Sequence, residues 1–296
     1  MARFITPAVT PLKKDGTLDV PSLRPLYEHL IRGGMDGILV LGSIGEFFAL
    51  PMETKRQLIR EAVRIVDHRV ELMVGVSGMV FDEVKELARF ALAEGADAVI
   101  AVPPYYFWLE PASIEAYYSA LAEAIDGPLY LYNFPDRTGY SIPPETVLAL
   151  ARKHSNIVGI KDTIAGVDHT RQIVKLVKAE RPEFRVYSGF DDNFVHNVAC
   201  GGDGCIAGLS NLLPSLCHAW TVAVDTGDWK ETARIQQTID RLMDIYAVGK
   251  PFVPFIKAAM AELGLPIATG CTFPLPEPTE ADREALRQIL RREGLI

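Results

Sequence analysis

Short apolar runs alternate with longer amphipathic segments along the first two thirds of the chain. The runs are rich in valine and isoleucine and are followed by turn residues, a pattern typical of buried strands. The pattern predicts eight strands, at residues 5–11, 37–41, 72–76, 98–102, 129–133, 157–161, 184–187 and 204–207. Helical periodicity fills the intervals, at residues 20–32, 51–66, 81–94, 113–124, 143–151, 168–179 and 191–199.

Strand and helix alternate at a spacing of about 25–35 residues, which indicates a parallel sheet. Eight such units favour closure, so the predicted fold is α/β, a (β/α)8 TIM barrel. No strand is predicted from residue 214 onward; helices are expected at 215–224, 229–246, 252–263 and 279–292. We therefore expect a barrel over residues 1–212 and a C-terminal helical appendage over residues 213–296.

Composition narrows the class of protein. The chain has 296 residues, 49% of them hydrophobic and 23% charged, as in an ordinary globular enzyme. A net charge of −8 argues against non-specific nucleic-acid binding. No apolar run is long enough to span a bilayer and no signal peptide is evident, so a cytoplasmic protein is expected. The four cysteines are interpreted as buried thiols of a reducing compartment.

The sixth predicted strand ends in a lysine, within Ile157-Val158-Gly159-Ile160-Lys161-Asp162-Thr163. In (β/α) barrels the chemistry takes place at the carboxyl ends of the strands. A partly desolvated lysine there loses some of its preference for the charged form, and the neutral amine attacks carbonyls to form Schiff bases. By itself, the same pattern also suits a solvated lysine just past a strand.

Three further polar groups follow predicted strands, at Gly42–Glu46, Tyr105–Tyr106 and Tyr132–Gly139. Glycines around a hydroxyl let backbone amides turn toward an anion. A tyrosine at a strand end can relay a proton, and an arginine can grip a carboxylate with two hydrogen bonds. Taken singly, each group also fits a purely structural role: a tight turn at Gly42–Glu46, loop packing at Tyr105–Tyr106 and a core aromatic residue at Tyr132.

Together with Lys161, these groups resemble in order and spacing the pyruvate-dependent class I aldolase family. This family contains dihydrodipicolinate synthase, N-acetylneuraminate lyase and the 2-keto-3-deoxy sugar acid aldolases. The resemblance covers nearly the whole chain, including Thr6-Pro7, Thr10-Pro11, Ser188-Gly189 and Gly201–Gly204.

The resemblance implies a role for each matching residue. Lys161 matches the lysine that forms the Schiff base with pyruvate or another 2-keto acid, and Tyr132 the tyrosine that shuttles protons at the adduct. Ser43 matches the hydroxyl linked to that tyrosine. Tyr106 matches a tyrosine that completes the relay from a neighbouring subunit, which implies a homotetramer built as a dimer of dimers.

Substrate contacts are implied in the same way. The backbone amides of Ser43 and Ile44 match those that bind the pyruvate carboxylate, and Gly189 and Ile206 line the pocket through their backbone. Arg137 matches the arginine with which dihydrodipicolinate synthases bind aspartate semialdehyde. The expected partners are thus pyruvate and an aldehyde or sugar acid, with no nucleic acid and no membrane.

The motifs do not agree on one substrate. Ile44 replaces a threonine of the synthases and sialic acid lyases, whereas Arg137 favours a synthase. Residues 132–135, 161–164 and 190–192 resemble 2-keto-3-deoxygluconate aldolases most closely, although the Arg137 position is usually apolar in those enzymes. Lysine-inhibited synthases have polar side chains where this chain has Phe47, Phe48 and Met79. We therefore expect an aldolase or dehydratase of a 2-keto-3-deoxy sugar acid such as 2-keto-3-deoxygluconate. Dihydrodipicolinate synthase, a lyase for sialic acid or another aldehyde acceptor, and a non-catalytic binding protein remain as alternatives.

No metal or organic cofactor is expected. The six histidines form no H-E-x-x-H motif, and no G-x-G-x-x-G follows a strand. Glu46 and Asp162 lie near the implied site in sequence and are interpreted as orienting or solvated groups.

Overall fold

The computed structural model describes residues 1–296. Its eight strands form a closed barrel in the order β1 to β8, which confirms the predicted (β/α)8 barrel. The strands are β1 Arg3–Pro7, β2 Gly37–Val40, β3 Glu71–Gly75, β4 Ala98–Ala101, β5 Leu129–Asn133, β6 Ile157–Asp162, β7 Arg185–Ser188 and β8 Gly204–Ile206.

Helices alternate with the strands and then continue alone after β8, as predicted. The helices between strands are α1 Val20–Arg32, α2 Met52–Val66, α3 Phe81–Glu94, α4 Pro111–Ala124, α5 Pro135–Thr138, α6 Pro144–Lys153, α7 Asp168–Val177 and α8 Phe194–Ala199. The C-terminal helices are α9 Pro214–Thr226, α10 Trp229–Leu242, α11 Val253–Glu262 and α12 Glu280–Arg292. The domain boundary at residues 212 and 213 stays a prediction.

The chain forms two compact units, one of Arg3–Leu72 with Ala207–Ile296 and one of Met73–Ile206. In the first, Asn211 joins the segment after β8 to the end of β1. Its side-chain amide donates to the carbonyls of Pro7 (2.9 Å) and Gly208 (3.0 Å), and its oxygen accepts from the amide of Val9 (3.1 Å). These hydrogen bonds hold the end of β1 to the segment after β8.

In the second unit, β5, β6 and β7 pair in parallel and in a defined register. Lys161 of β6 lies opposite Tyr132 of β5 and Tyr187 of β7. A glycine is required at position 159 of β6, since a Cβ there would lie 2.5 Å from the Tyr130 ring. Position 159 therefore lets that ring lie close to the β6 backbone.

Two local predictions need correction. The first strand ends at Pro7 and does not reach residue 11, because the amide of Val9 donates to a side chain instead of a strand. The segment between β5 and the next predicted helix, for which no helix is predicted, contains the short helix α5. Gly139, at φ 80°, ends this helix by donating its amide to the carbonyl of Pro135.

All four cysteines are free thiols. Cys205 and Cys217 are buried as expected, whereas Cys200 and Cys271 are only half-buried. None of the helices has the length and apolar character needed to cross a bilayer.

Candidate active site

Lys161 lies at the carboxyl end of β6 and is 4% exposed. Its Nζ atom is 4.5 Å from the centroid of the Tyr132 ring, on the adjacent strand. A solvated lysine, the other interpretation of this strand end, is therefore excluded, because the amine is buried. The parallel register accounts for the contact, because paired residues of neighbouring strands present their side chains to the same face.

Arg137 belongs to an aromatic stack that begins at Tyr132. The rings of Tyr132 and Phe134 stack at a centroid distance of 5.9 Å, and the guanidinium of Arg137 lies 5.2 Å from the Phe134 centroid. Arg137 is exposed, whereas both rings are buried. The stack runs from the buried lysine to an exposed cation, and planar guanidinium groups suit such stacking.

Gly189 directly follows β7, and Ile206 is the last residue of β8 and fully buried. A Cβ at position 189 would lie 1.8 Å from Oγ1 of Thr163, so this position needs glycine. Thr163 is itself buried, and its hydroxyl makes no hydrogen bond within the protein. A buried hydroxyl without a partner is unusual. Thr163 is therefore a candidate for hydrogen bonding to substrate that the sequence analysis did not single out.

Tyr106 is 79% exposed. Its neighbours Phe107 and Trp108 are also exposed, and the Tyr106 and Phe107 rings meet edge to face at 5.0 Å. Three consecutive exposed aromatic residues form a surface that suits burial against another protein chain.

Ser43 and Ile44 lie in the loop after β2, in the other unit. Ile44 is buried, and Ser43 is half-buried. The loop closes with a hydrogen bond from the amide of Glu46 to the carbonyl of Ser43, 3.2 Å. Glu46 is fully buried, which excludes the solvated alternative and leaves the orienting one.

Sequence analysis missed the partner of Glu46. Lys257 of α11 is also fully buried, and its Nζ lies 2.5 Å from Oε1 of Glu46. A signal was present in the sequence, since Lys257 stands among apolar residues in Val253–Met260. Such a lysine needs a charged partner, but the sequence could not identify which one.

Asp162 also is buried and anchors a polar network behind β6. It accepts hydrogen bonds from Nδ2 of Asn133 (2.7 Å) and the Thr170 hydroxyl (2.5 Å). Nδ1 of His169 lies 3.0 Å from the same carboxylate, while Nε2 lies 2.9 Å from the carbonyl of Ile142. Nε2 also lies 3.3 Å from the hydroxyl of Ser141. The protonated imidazolium can donate to the Asp162 carboxylate and to the Ile142 carbonyl at the same time.

The chain belongs to the dihydrodipicolinate synthetase family, whose model matches residues 1–293. It is 39% identical over 293 residues to a probable 2-dehydro-3-deoxy-D-pentonate aldolase, YjhH, of Escherichia coli, covering 99% of this chain and 97% of that protein. The crystal structure of Escherichia coli YagE in complex with pyruvate matches with a TM-score of 0.97 at 35% identity, covering 100% of this chain and 99% of that one.

A 4-hydroxy-tetrahydrodipicolinate synthase of Acetivibrio thermocellus is 33% identical over 288 residues, covering 97% of this chain and 96% of that protein. YagE is named a putative 2-dehydro-3-deoxy-D-gluconate aldolase and is 37% identical over 291 residues, covering 97% of this chain and 96% of YagE. The predicted family is confirmed, and so is the prediction of a lyase.

The His169 network predicts a pH-dependent contribution to stability. Burial acts to lower the pKa of His169, but the hydrogen bond and charge of Asp162, the Ile142 carbonyl and the charge of Glu145 outweigh it and raise the pKa. A raised pKa stabilises the fold below the unfolded value of about 6.5, and this stabilisation is lost as pH rises through the folded-state pKa.

We expect His169→Gln to remove this component of the stability. Urea unfolding measures the free energy of unfolding at about pH 6 and about pH 8. The difference between these two free energies should be smaller for the variant than for the parent protein. The exposed His218→Gln is the control and should leave the difference unchanged. An unchanged pH dependence in His169→Gln would contradict the imidazolium assignment.

Proposed function

We propose that the protein is a pyruvate-dependent class I aldolase that cleaves or dehydrates a 2-keto-3-deoxy sugar acid through a Schiff base on Lys161. The observation that carries this proposal is the buried Lys161 amine at the end of β6, 4.5 Å from the Tyr132 ring centroid. The names of YjhH and YagE support the substrate class, and the pyruvate complex of YagE supports the 2-keto acid.

The chemistry follows from an amine beside a phenol. The neutral Lys161 amine adds to the keto carbon, water leaves, and the resulting iminium draws electrons from the carbon–carbon bond beyond the adjacent methylene. In cleavage, the C4 hydroxyl loses its proton, the bond to C3 breaks and an aldehyde departs. The remaining enamine takes up a proton at C3, and water releases pyruvate. Tyr132 is the proposed acid–base group: its phenol oxygen accepts the hydroxyl proton as it passes its own proton to the Ser43 hydroxyl of the relay, and the relay later returns one proton to C3.

The other proposed roles follow the family resemblance. Ser43 links to the tyrosine relay, and the Ser43 and Ile44 amides bind the pyruvate carboxylate. Gly189 and Ile206 line the pocket through their backbone. Tyr106 completes the relay in a neighbouring subunit of a homotetramer, an assignment that its exposed aromatic surface supports.

Dihydrodipicolinate synthase is the second candidate, because Arg137 is exposed at the end of the aromatic stack and suits a distal carboxylate. The aldolase is favoured because YjhH and YagE, at 39% and 37% identity, are more similar to the chain than the synthase at 33%. The apolar Phe47, Phe48 and Met79 also favour the aldolase. A non-catalytic binding protein would form no covalent adduct.

Borohydride reduction in the presence of pyruvate should trap the Schiff base on Lys161. We expect one pyruvate-derived mass on the peptide that contains Lys161 and none in Lys161→Ala, because that variant lacks the nucleophile. Mass spectrometry of the digested protein measures the adduct. The exposed Lys153→Ala should label normally. An adduct that forms on another residue in Lys161→Ala would refute the assignment.

Tyr132→Phe should fold normally and lose turnover by about 100- to 10,000-fold, the usual contribution of a positioned acid–base group. Steady-state kinetics with a 2-keto-3-deoxy sugar acid measures the loss. Tyr27→Phe is the matched control, since it removes a buried tyrosine hydroxyl from α1. A loss below about threefold in Tyr132→Phe would leave its ring with a packing role alone.

Arg137→Ala should raise KM for the second substrate without weakening pyruvate trapping. A charge-assisted hydrogen bond contributes about 1.5–3 kcal/mol, so we expect roughly a ten- to hundredfold increase for a partner with a distal carboxylate. A neutral aldehyde such as glyceraldehyde should show little change.

The increase in KM caused by Arg137→Ala is measured for aspartate semialdehyde and for sugar-derived aldehydes. Comparing the two increases separates the two candidate functions. The exposed Arg171→Ala is the control, because it removes an arginine paired with Asp168 elsewhere on the surface. A fall in pyruvate trapping as large as the fall in turnover would contradict this role for Arg137.

A further inference from the structure

The loop after β2 has a costly backbone conformation. Leu41 and Glu46, at its two ends, have φ values of 56° and 59°, in the left-handed region that side chains disfavour. Between them, a Cβ on Gly45 would lie 3.2 Å from the carbonyl of Ala8. Residues persist in such conformations when the surrounding structure holds them there.

The main support is a fully buried ion pair. Both Glu46 and Lys257 are 0% exposed, and Oε1 of Glu46 lies 2.5 Å from Nζ of Lys257. The second oxygen, Oε2, accepts from the backbone amide of Thr272 at 2.7 Å and from its hydroxyl at 2.8 Å. Lys257 also donates to the carbonyl of Gly270 at 2.7 Å.

This cluster of Glu46, Lys257, Gly270 and Thr272, here called the clamp, joins the loop to the C-terminal region. A second hydrogen bond holds the same loop, from the hydroxyl of Thr10 to the carbonyl of Gly45 at 2.7 Å. Both carboxylate oxygens and the ammonium therefore have partners, which a buried charge pair requires.

Stability alone does not account for a buried ion pair. Desolvating two charges costs much of what their attraction returns, and a well-packed apolar pair of similar volume is often as stable. What the charges add is directional geometry, since the carboxylate has to face Lys257 and Thr272 together. The clamp thus selects one conformation of a loop that its glycines would otherwise leave variable, and it offsets the cost of the positive φ angles at Leu41 and Glu46.

We propose that the clamp is a positioning device that holds the Ser43 and Ile44 amides in place for the carboxylate of the 2-keto acid. This inference rests on the proposed function, since it assumes that those amides bind pyruvate. Glu46 and Lys257 are then positioning residues, and α11 contributes to substrate affinity through them.

Conservative variants separate positioning from stability. Lys257→Met keeps the volume and leaves Glu46 without its cation, so we expect a lower thermal midpoint together with weaker pyruvate binding. In the double variant Glu46→Met with Lys257→Met, no charge is left unpaired, and most of the lost thermal stability should return. Because the directional contacts are still missing, pyruvate affinity should stay at least about tenfold below that of the parent protein.

Pyruvate affinity is measured as the concentration dependence of borohydride trapping, and kcat at saturating substrate should change less than KM. Arg3→Met is the matched control, since it breaks the ion pair of Arg3 with Glu71 in the same unit. It should lower the thermal midpoint and leave pyruvate affinity unchanged. A double variant with parental pyruvate affinity would overturn the proposal.

Hydrogen exchange of residues 41–50 tests the clamp separately from catalysis. We expect exchange there to be at least about tenfold faster in the double variant, with segments outside residues 41–50, 253–262 and 270–272 at parental rates. Parental exchange in residues 41–50 would overturn the positioning role whatever the activity. Failure of the parent protein to form any pyruvate adduct would instead overturn the proposed function, and faster exchange would still establish that the clamp orders the loop.

Discussion

The parallel pairing of β5 with β6 is the constraint on which the proposed chemistry depends. It sets Tyr132 opposite Lys161, so a phenol and an amine from distant parts of the sequence share one face of the sheet. A slip of one residue would turn one of the two side chains to the other face. The close approach of Tyr130 to Gly159 acts on the same pair of strands and is incompatible with a larger residue at position 159.

Two buried lysines have different surroundings and suit different roles. Lys257 is held by a carboxylate and a carbonyl, which keep an ammonium in a fixed position. Lys161 instead packs against the face of an aromatic ring, which attracts a cation more weakly than a carboxylate does. The first arrangement suits a structural contact, while the second suits the nucleophile proposed above.

We propose that substrate choice depends on a different feature, the aromatic stack that ends in Arg137. Its exposed guanidinium is held over Phe134, so the position of the charge is linked to Tyr132 through ring packing. The motifs disagreed at this residue, since arginine there is typical of the synthases while other motifs are typical of the sugar acid aldolases. The relatives named as aldolases favour the sugar acid aldolase. The aromatic stack explains how an arginine can be accommodated at this position, beside the Phe134 ring.

The sequence by itself determined the barrel, because alternating strands and helices leave few ways to bury eight apolar runs together. It also determined the family and the candidate lysine, since Lys161 ends an apolar run and the surrounding motifs occur in a characteristic order. Only the tertiary structure decided that Glu46 is buried against Lys257, and that Asp162 is bound by Asn133, Thr170 and His169. These partners lie far apart in sequence or on different elements, and no local periodicity encodes which side chain satisfies a buried charge.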